Sequence, residues 1–210
     1  MKIAMIGTGN VGKVLGRRWA QMGHQVIFGT REPDSEKTKA LLGEAGANAS
    51  AATLAEAAAQ ADLIALATPW GPMEAIIRSM GNVAGKILID CTNPLTPERR
   101  QLALGFTTSG AEQITAWAAG ARVVKAFNST GAGNMADPLY ASGKLTMFIC
   151  GDEPAAKQTV ARLVNELDFE AIDVGPLEMA RYLEPLAVLW VKLAYVEGLG
   201  PNFAIKLVRR

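Results

Sequence analysis

The stretch Lys2-Ile3-Ala4-Met5-Ile6-Gly7-Thr8-Gly9-Asn10-Val11-Gly12 decides the fold of this chain. A short apolar run ends in three glycines spaced G-x-G-x-x-G, and a helical pattern follows. A strand, a glycine turn and a helix in this order predict a dinucleotide-binding βαβ unit rather than a glycine-rich turn that binds nothing. In such a unit Gly7 permits the tight turn, Gly9 lets the backbone approach a pyrophosphate, and Gly12 lets the helix pack closely on the strand.

Beyond this turn, short apolar runs alternate with helical patterns nearly to the end of the chain. The predicted strands span residues 2–6, 25–29, 63–67, 87–90, 122–127, 145–150 and 171–174. The predicted helices span residues 11–22, 35–42, 54–60, 73–80, 112–119 and 155–167. Because strands that alternate with helices form βαβ units, we predict a Rossmann-type, doubly wound α/β fold with a mainly parallel sheet. No linker or repeat divides residues 1–210, so we expect a single domain.

The segment 177–197 predicts a long C-terminal helix that is apolar over much of its circumference, at the start of a helical segment of about 177–210. A helix of this kind needs cover on two sides. The sheet supplies one side. A second subunit would supply the other, and we therefore predict a homodimer, with a fully intramolecular role as the alternative.

Composition excludes several classes of function. The chain has 210 residues and a formal net charge of +1, which offers no basic footprint for nucleic acid. Two cysteines, Cys91 and Cys150, and one histidine provide no metal-binding motif. The most hydrophobic later stretch, 185–196, contains Lys192 and is shorter than the roughly 20 residues of a membrane span. We therefore expect a cytoplasmic protein with no metal, nucleic acid or membrane partner.

The end of the second predicted strand indicates which dinucleotide binds. An NAD site has Asp or Glu there to accept hydrogen bonds from the ribose hydroxyls, whereas this chain has Gly29-Thr30-Arg31. A hydroxyl followed by a guanidinium suits a 2′-phosphate, because arginine pairs with phosphate oxygens in a fork. Lys37 and Lys39 would add positive charge from the next helix. Glu32 is discordant, since an inward side chain would accept a ribose hydroxyl instead. We predict NADP(H) as the cofactor.

Further motifs follow in a fixed order along the chain. They are Ala67-Thr68-Pro69-Trp70, Asp90-Cys91-Thr92-Asn93-Pro94-Leu95, Val123-Val124-Lys125-Ala126-Phe127-Asn128, Asp173-Val174-Gly175-Pro176-Leu177, Gly198-Leu199-Gly200 and Ile205-Lys206-Leu207. With the glycine turn and Gly29-Thr30-Arg31, they make the chain resemble the F420-dependent NADP oxidoreductase family over nearly its whole length. The chain is also similar to the cytosolic NADPH-binding part of the six-transmembrane metalloreductases, which pass hydride to a flavin and then electrons to haem and metal.

The resemblance implies a site in three parts. The pyrophosphate would lie on the glycine turn, the 2′-phosphate on Thr30 and Arg31, and the nicotinamide half along the later motifs, with Phe203 closing from the C-terminus. The full candidate cofactor site is Gly7, Thr8, Gly9, Asn10, Val11, Gly12, Thr30, Arg31, Lys37, Thr68, Pro69, Trp70, Asn93, Asn128, Ala132 and Phe203. Asn128 stands where F420-using members tend to have histidine, and Ser35 stands where they have a basic residue. We assign no catalytic side chain; Asn128 is the candidate for positioning the nicotinamide side.

The residues do not supply an obvious proton donor for a carbonyl or imine substrate. The only histidine, His24, precedes the second strand and so lies at the wrong end of the sheet. The remaining acid candidates, which form no recognisable constellation, are Lys125, Tyr140, Tyr182, Glu184, Lys192 and Tyr195. A flavin or deazaflavin ring delocalises the incoming electrons and has less need of an acid.

We therefore hypothesise an NADPH-dependent oxidoreductase that exchanges hydride with a flavin-like small molecule, with F420, FMN or FAD as the hydride partner. Pro69, Trp70, Ala132 and Phe203 would suit the face of such a ring, although Trp70 equally fits ordinary packing. The alternatives are an NADPH-dependent imine or carbonyl reductase and a non-catalytic NADPH-sensing module.

Overall fold

Eight strands form one continuous sheet in the computed structural model, which describes residues 1–98 and 101–210. The strands of the chain are β1 (Lys2–Ile6), β2 (Gln25–Gly29), β3 (Ala49–Ala52), β4 (Leu63–Leu66), β5 (Ile87–Asp90), β6 (Arg122–Lys125), β7 (Leu139–Tyr140), β8 (Gly143–Lys144), β9 (Thr146–Gly151) and β10 (Glu170–Asp173). The order in the sheet is β10-β9-β6-β5-β4-β1-β2-β3, and β7 and β8 form a separate hairpin. The first six strands are parallel, and β9 pairs with β6 in the antiparallel direction.

Helices cover both faces of this sheet. They are α1 (Asn10–Gln21), α2 (Glu36–Ala45), α3 (Leu54–Gln60), α4 (Met73–Ser79), α5 (Gly110–Trp117), α6 (Ala132–Ala136), α7 (Pro154–Glu166) and α8 (Ala180–Tyr195), with a short 3-10 helix at Leu177–Met179. No helix of the described ranges is both long and apolar enough to span a bilayer.

Alternate residues of the central strand β1 pack into two separate hydrophobic cores, one on each face of the sheet. Ile3 and Met5 pack in the core under α1 and α7, whereas Ala4 and Ile6 pack in the core under α3, α4, α5 and α8. Successive side chains of a strand point to opposite faces, so a strand that is apolar at every position must be covered twice. The predicted doubly wound, mainly parallel fold is therefore confirmed.

The structure adds elements that the sequence pattern did not indicate. Strand β3 consists of Ala49–Ala52 with one serine, which lacks the β-branched residues typical of strands. Helix α6 has only five residues and includes Gly133 and Asn134, both poor helix formers. The reversed direction of β9 was also not predicted, because hydrophobic pattern does not encode strand direction.

The predicted C-terminal helix is present as α8, but it ends at Tyr195, so the helical segment does not extend to residue 210 as we expected. Gly198 and Gly200, both with positive φ, and Pro201 follow the helix and cannot continue it.

Helix α8 buries one face and exposes another. Residues Leu183, Ala187 and Trp190 are buried at helical spacing, whereas Tyr182 and Tyr195 are exposed. The intramolecular cover that we expected for this helix is therefore present on one side. Homodimerisation through the exposed side stays a prediction.

Candidate dinucleotide-binding site

The glycine turn connects β1 to α1 at the carboxyl edge of the sheet. Gly7 has φ = 113°, which favours glycine, and a Cβ there would lie 2.5 Å from the carbonyl oxygen of Ala67. A Cβ on Gly12 would overlap the carbonyl oxygen of Gly7. A Cβ on Gly9, in contrast, would have open space around it to 4 Å. The fold itself therefore requires glycine at positions 7 and 12. The absence of a side chain at Gly9 leaves space for a ligand at the start of α1.

The start of α1 also presents backbone donors without a cap. The side chains of Ser35 and Thr53 cap α2 and α3. At α1 the N-cap residue is Gly9, no side chain of the described residues caps the helix, and its first turn has no acidic residue. The first N–H groups of a helix have no partner within the helix, and the helix dipole favours negative charge at this end. The start of α1 therefore suits a phosphate group.

A cavity of about 160 Å³ opens beside this turn, at the end of β2. Its lining residues are Thr8, Thr30, Arg31, Glu32, Ser35, Lys37 and Thr38. Thr8 of the glycine turn therefore lines the same cavity as the residues predicted to bind the 2′-phosphate, which are Thr30, Arg31 and Lys37. Because the cavity is small and polar, it fits a phosphate group rather than an aromatic ring.

Hydrogen bonds hold the loop that carries Arg31. The Thr38 hydroxyl donates to the Glu32 carbonyl at 2.9 Å, and the Glu32 N–H donates to the Thr30 hydroxyl at 3.3 Å. Lys39, which we considered as a second basic residue, forms an exposed ion pair with Glu36 at 2.8 Å and does not line the cavity. The side chains of Arg31 and Lys37 are thus the cationic groups at this cavity.

Asn93 and Asn128 form a reciprocal pair where β5 and β6 end. The Asn93 amide donates to the Asn128 carbonyl, and the Asn128 amide donates to Asn93 Oδ1, each at 3.0 Å. The Asn128 amide also donates to the Leu183 carbonyl of α8 at 3.0 Å. The structure therefore brings together two predicted site residues and fixes them against the C-terminal helix.

Two polar atoms at this edge are buried and lack a partner. They are Thr68 Oγ1 and Asn128 Oδ1; a third such atom in the described part of the chain, Arg122 Nε, lies at the start of β6 and so at the opposite edge. Buried polar atoms are nearly always hydrogen-bonded, so such orphans at a candidate site indicate places for ligand atoms. A group that offers both a donor and an acceptor, such as a carboxamide, would satisfy the two atoms.

Trp70 is half-buried and packs against α5. Its ring centroid lies 5.4 Å from that of Trp117. A Cβ placed on Gly110 would lie 3.1 Å from the Trp70 ring. Packing accounts for one face of Trp70.

The C-terminal segment returns to the start of α6. The Phe203 ring stacks on Trp190 with centroids 5.4 Å apart, and the Phe203 carbonyl accepts from Asn134 Nδ2 at 2.7 Å and Trp190 Nε1 at 2.9 Å. A Cβ on Gly131 would lie 2.5 Å from the Trp190 ring. The Phe203 carbonyl is therefore held at helix α6, which begins at Ala132, and Asn134 and Trp190 are the residues that sequence reasoning missed.

Three charged side chains form what we call the buried charge cluster: Asp90, Lys125 and Glu184. The Lys125 ammonium lies 2.6 Å from Asp90 Oδ2 and 2.8 Å from Glu184 Oε1, and all three side chains are fully buried. The ammonium also donates to the Thr92 carbonyl at 2.9 Å. Burial lowers the pKa of Lys125, but the two carboxylates outweigh burial and hold it above its usual range.

The carboxylate of Glu184 also anchors the start of α5. The Gly110 N–H donates to Glu184 Oε2 at 2.9 Å, and the Ala111 N–H donates to Glu184 Oε1 at 3.3 Å. Burial raises the pKa of Glu184, while Lys125 opposes this effect. One signal in the sequence was available: a lysine within an apolar strand requires an acidic partner. It did not identify which acid.

The other acid candidates do not join this cluster. Tyr140 donates its hydroxyl to Asn134 Oδ1 at 2.8 Å, and Tyr182, Lys192 and Tyr195 are exposed. His24 lies at the amino edge of the sheet, 2.8 Å from Glu166, far from the candidate site. Its predicted position at the amino end of β2 is confirmed.

Known proteins resemble this chain over most of its length. The family model described as NADP oxidoreductase, coenzyme F420-dependent, matches residues 2–94. The F420-dependent NADP reductase of Methanothermobacter thermautotrophicus is 30% identical over 210 residues, which cover 92% of this chain and 89% of that protein. Metalloreductase STEAP3 of Rattus norvegicus is 31% identical over 191 residues; the match covers 90% of this chain but only 37% of that longer protein.

One solved structure shares the complete fold. It is a protein from Arthrobacter sp. FB24 that is provisionally assigned as an F420-dependent NADP reductase, with a TM-score of 0.91 and 35% sequence identity. The match covers 100% of both chains. The likeness therefore includes α8 and the returning C-terminal segment as well as the sheet.

Proposed function

Since this chain belongs to the F420-dependent NADP oxidoreductase family and is an NADP-dependent oxidoreductase, we propose that it moves hydride between NADP(H) and a flavin or deazaflavin ring. One observation carries the choice of partner. Lys125 and Glu184, two of the acid candidates, are buried and bonded to each other. A third, Tyr140, already donates its hydroxyl to Asn134 Oδ1. They are not available to protonate a carbonyl or imine, whereas a flavin-like ring has less need of such a proton.

The proposed dinucleotide runs along the carboxyl edge of the sheet. The pyrophosphate lies on the glycine turn, next to Thr8, Gly9, Asn10 and Val11. The 2′-phosphate occupies the cavity lined by Thr30, Arg31 and Lys37. The open space at Gly9 and the basic lining of the cavity support this placement.

The proposed nicotinamide half extends to Thr68, Asn93 and Asn128. The partnerless atoms Thr68 Oγ1 and Asn128 Oδ1 supply a donor and acceptor for its carboxamide. Beyond it, we assign the face for the hydride partner to Pro69, Trp70, Ala132 and Phe203. Stacking two rings face to face orients them for transfer without a catalytic acid.

Cellular setting and assembly are part of this proposal. Cys91 and Cys150 are both free and buried, which suits a reducing cytoplasm. The exposed side of α8, with Leu189 half-exposed at 51%, supports a homodimer.

The hydride partner is tested by rapid mixing. NADPH oxidation is followed at 340 nm after mixing with F420, FMN, FAD, or a panel of ketones with and without amines. We expect oxidation with at least one of the ring acceptors and none with the panel. Turnover with the panel would instead support the imine or carbonyl reductase, and binding without any turnover would support the NADPH sensor.

A substitution at Gly9 tests the proposed pyrophosphate position. In Gly9→Ala we expect NADPH affinity to fall on the order of tenfold, because the new methyl group occupies the approach to the helix start. The unfolding temperature should stay within about 2 °C of the parent, since the Cβ meets open space and φ is −77°. Fluorescence titration with NADPH and thermal unfolding measure the two effects.

Gly12→Ala is the matched control for this variant. Its Cβ overlaps the Gly7 carbonyl, so both the unfolding temperature and the affinity should fall. Unchanged NADPH affinity in Gly9→Ala would argue against pyrophosphate at this turn.

A further inference from the structure

The buried charge cluster is connected to the Asn93–Asn128 pair through Thr92 and Leu183. Asp90 Oδ1 accepts from the Thr92 N–H at 2.8 Å and from the Thr92 hydroxyl at 2.7 Å, and Thr92 precedes Asn93. Leu183, whose carbonyl accepts from the Asn128 amide, precedes Glu184. Thr92 therefore connects Asp90 to Asn93. Leu183 connects Glu184 to Asn128 in the same way, and both asparagines lie beside the proposed nicotinamide.

The cluster carries one unbalanced negative charge. Every hydrogen-bond partner of Asp90 and Glu184 is a donor: the Lys125 ammonium, the Thr92 N–H and hydroxyl, and the N–H groups that begin α5. Carboxylates surrounded only by donors suit the ionised form, and with both in that form a single ammonium balances one of them. All three side chains are fully shielded from solvent.

Neighbouring titratable groups do not cancel this charge. Arg181 of α8 faces α5 but is paired with Glu112 at 2.6 Å, in a position that solvent reaches. Cys91 and Cys150 lie beside the cluster as neutral thiols, because burial raises the pKa of both, to about 12 for Cys150. The residual charge thus acts through a poorly screened interior.

We propose that the buried charge cluster stabilises the oxidised nicotinamide relative to the reduced one, and so biases the bound pair toward hydride donation. This inference rests on the proposed placement of the nicotinamide at Asn93 and Asn128. When hydride leaves NADPH, its two electrons and one proton pass to the flavin or deazaflavin ring, and the neutral nicotinamide becomes a cation. A fixed negative charge behind the ring favours that cation.

The expected size of the effect follows from Coulomb's law. One unit charge at a separation of roughly 10 Å, in a medium of effective dielectric constant about 20, changes the relative affinity of two charge states on the order of tenfold. The measured quantity is the ratio of the NADP⁺ dissociation constant to the NADPH dissociation constant. It is obtained at pH 8 from calorimetry with NADP⁺ and fluorescence titration with NADPH.

Three variants distinguish an effect of the cluster's charge on this ratio from an effect of lost contacts. Glu184→Gln makes the cluster neutral, and we expect the ratio to rise about three- to tenfold. The double variant Lys125→Met with Glu184→Gln restores one negative charge on Asp90, and the ratio should return toward the parent value although more contacts are lost. Glu178→Gln removes an exposed carboxylate next to α8 and should leave the ratio unchanged.

Several results would overturn the inference. The first is a ratio in Glu184→Gln within twofold of the parent value. The second is an equal loss of affinity for NADP⁺ and NADPH in that variant. The third is a double variant whose ratio stays at the value of Glu184→Gln. If circular dichroism shows that Glu184→Gln is unfolded, Asp90→Asn makes the same charge change and must raise the ratio. Failure of the parent protein to bind either form would instead refute the proposed nicotinamide site itself.

Discussion

Replacing Arg31 by alanine is expected to raise KM for NADPH about ten- to a hundredfold and to leave KM for NADH nearly unchanged. Arg31 and Lys37 are the cationic residues of the small cavity at the end of β2, and Arg31 follows Thr30 directly. A guanidinium bound to phosphate makes a charge-assisted contact, and the loss of one such contact costs roughly 1.5–3 kcal/mol. NADH has no 2′-phosphate, so it loses nothing. Steady-state kinetics with both cofactors measure the change.

Lys39→Ala is the matched control for Arg31→Ala. Lys39 lies nearby on α2 but pairs with Glu36 and does not line the cavity. Its removal should change KM for NADPH less than about threefold, since exposed ion pairs contribute little. An Arg31→Ala protein with equal losses for NADPH and NADH would show that Arg31 does not select the phosphate.

Replacing Lys125 by methionine is expected to lower the free energy of unfolding by about 3–5 kcal/mol at pH 8. Methionine fills a similar volume, but it leaves the carboxylates of Asp90 and Glu184 buried without their shared cation. An uncompensated buried charge is much more costly than a lost surface contact. Urea unfolding followed by circular dichroism measures the loss.

The destabilisation of Lys125→Met should become larger as the pH rises. Burial raises the pKa of Glu184 above its ordinary 4.5, and loss of Lys125 removes an opposing influence. A raised pKa means that the folded protein holds this proton more tightly than the unfolded chain does. The resulting stability is therefore fully present below the ordinary pKa and is lost as pH rises through the folded pKa. The variant should approach the parent most closely at acidic pH.

Lys157→Met provides the comparison for this second variant. Lys157 pairs with Asp173 at 2.8 Å, but solvent reaches 47% of the Asp173 side chain. Removal of this pair should cost at most about 1 kcal/mol. If Lys125→Met is no more destabilised than Lys157→Met, the buried charge cluster does not have the energetic role described above.

Sequence alone predicted the phosphate half of the candidate site. The glycine turn, the end of β2 and the start of α2 lie within the first forty residues, and their spacing indicates a single βαβ unit. The proposed nicotinamide half depends on residues far apart in the chain, and only the family resemblance indicates Asn93, Asn128 and Phe203. Nothing in the local pattern states that these residues meet.

By itself, the sequence determined most of the parallel strands, the two covered faces of the sheet and the glycine turn, because these depend on periodicity and on glycines at short spacing. Only the tertiary structure decided that Lys125 meets Asp90 and Glu184, or that Asn134 holds the Phe203 carbonyl 69 positions away. Such contacts leave no periodic trace, because a buried charge or amide is satisfied by whichever partner the fold brings near. The long-range pairing of polar groups is set by packing, and packing is a property of the whole chain.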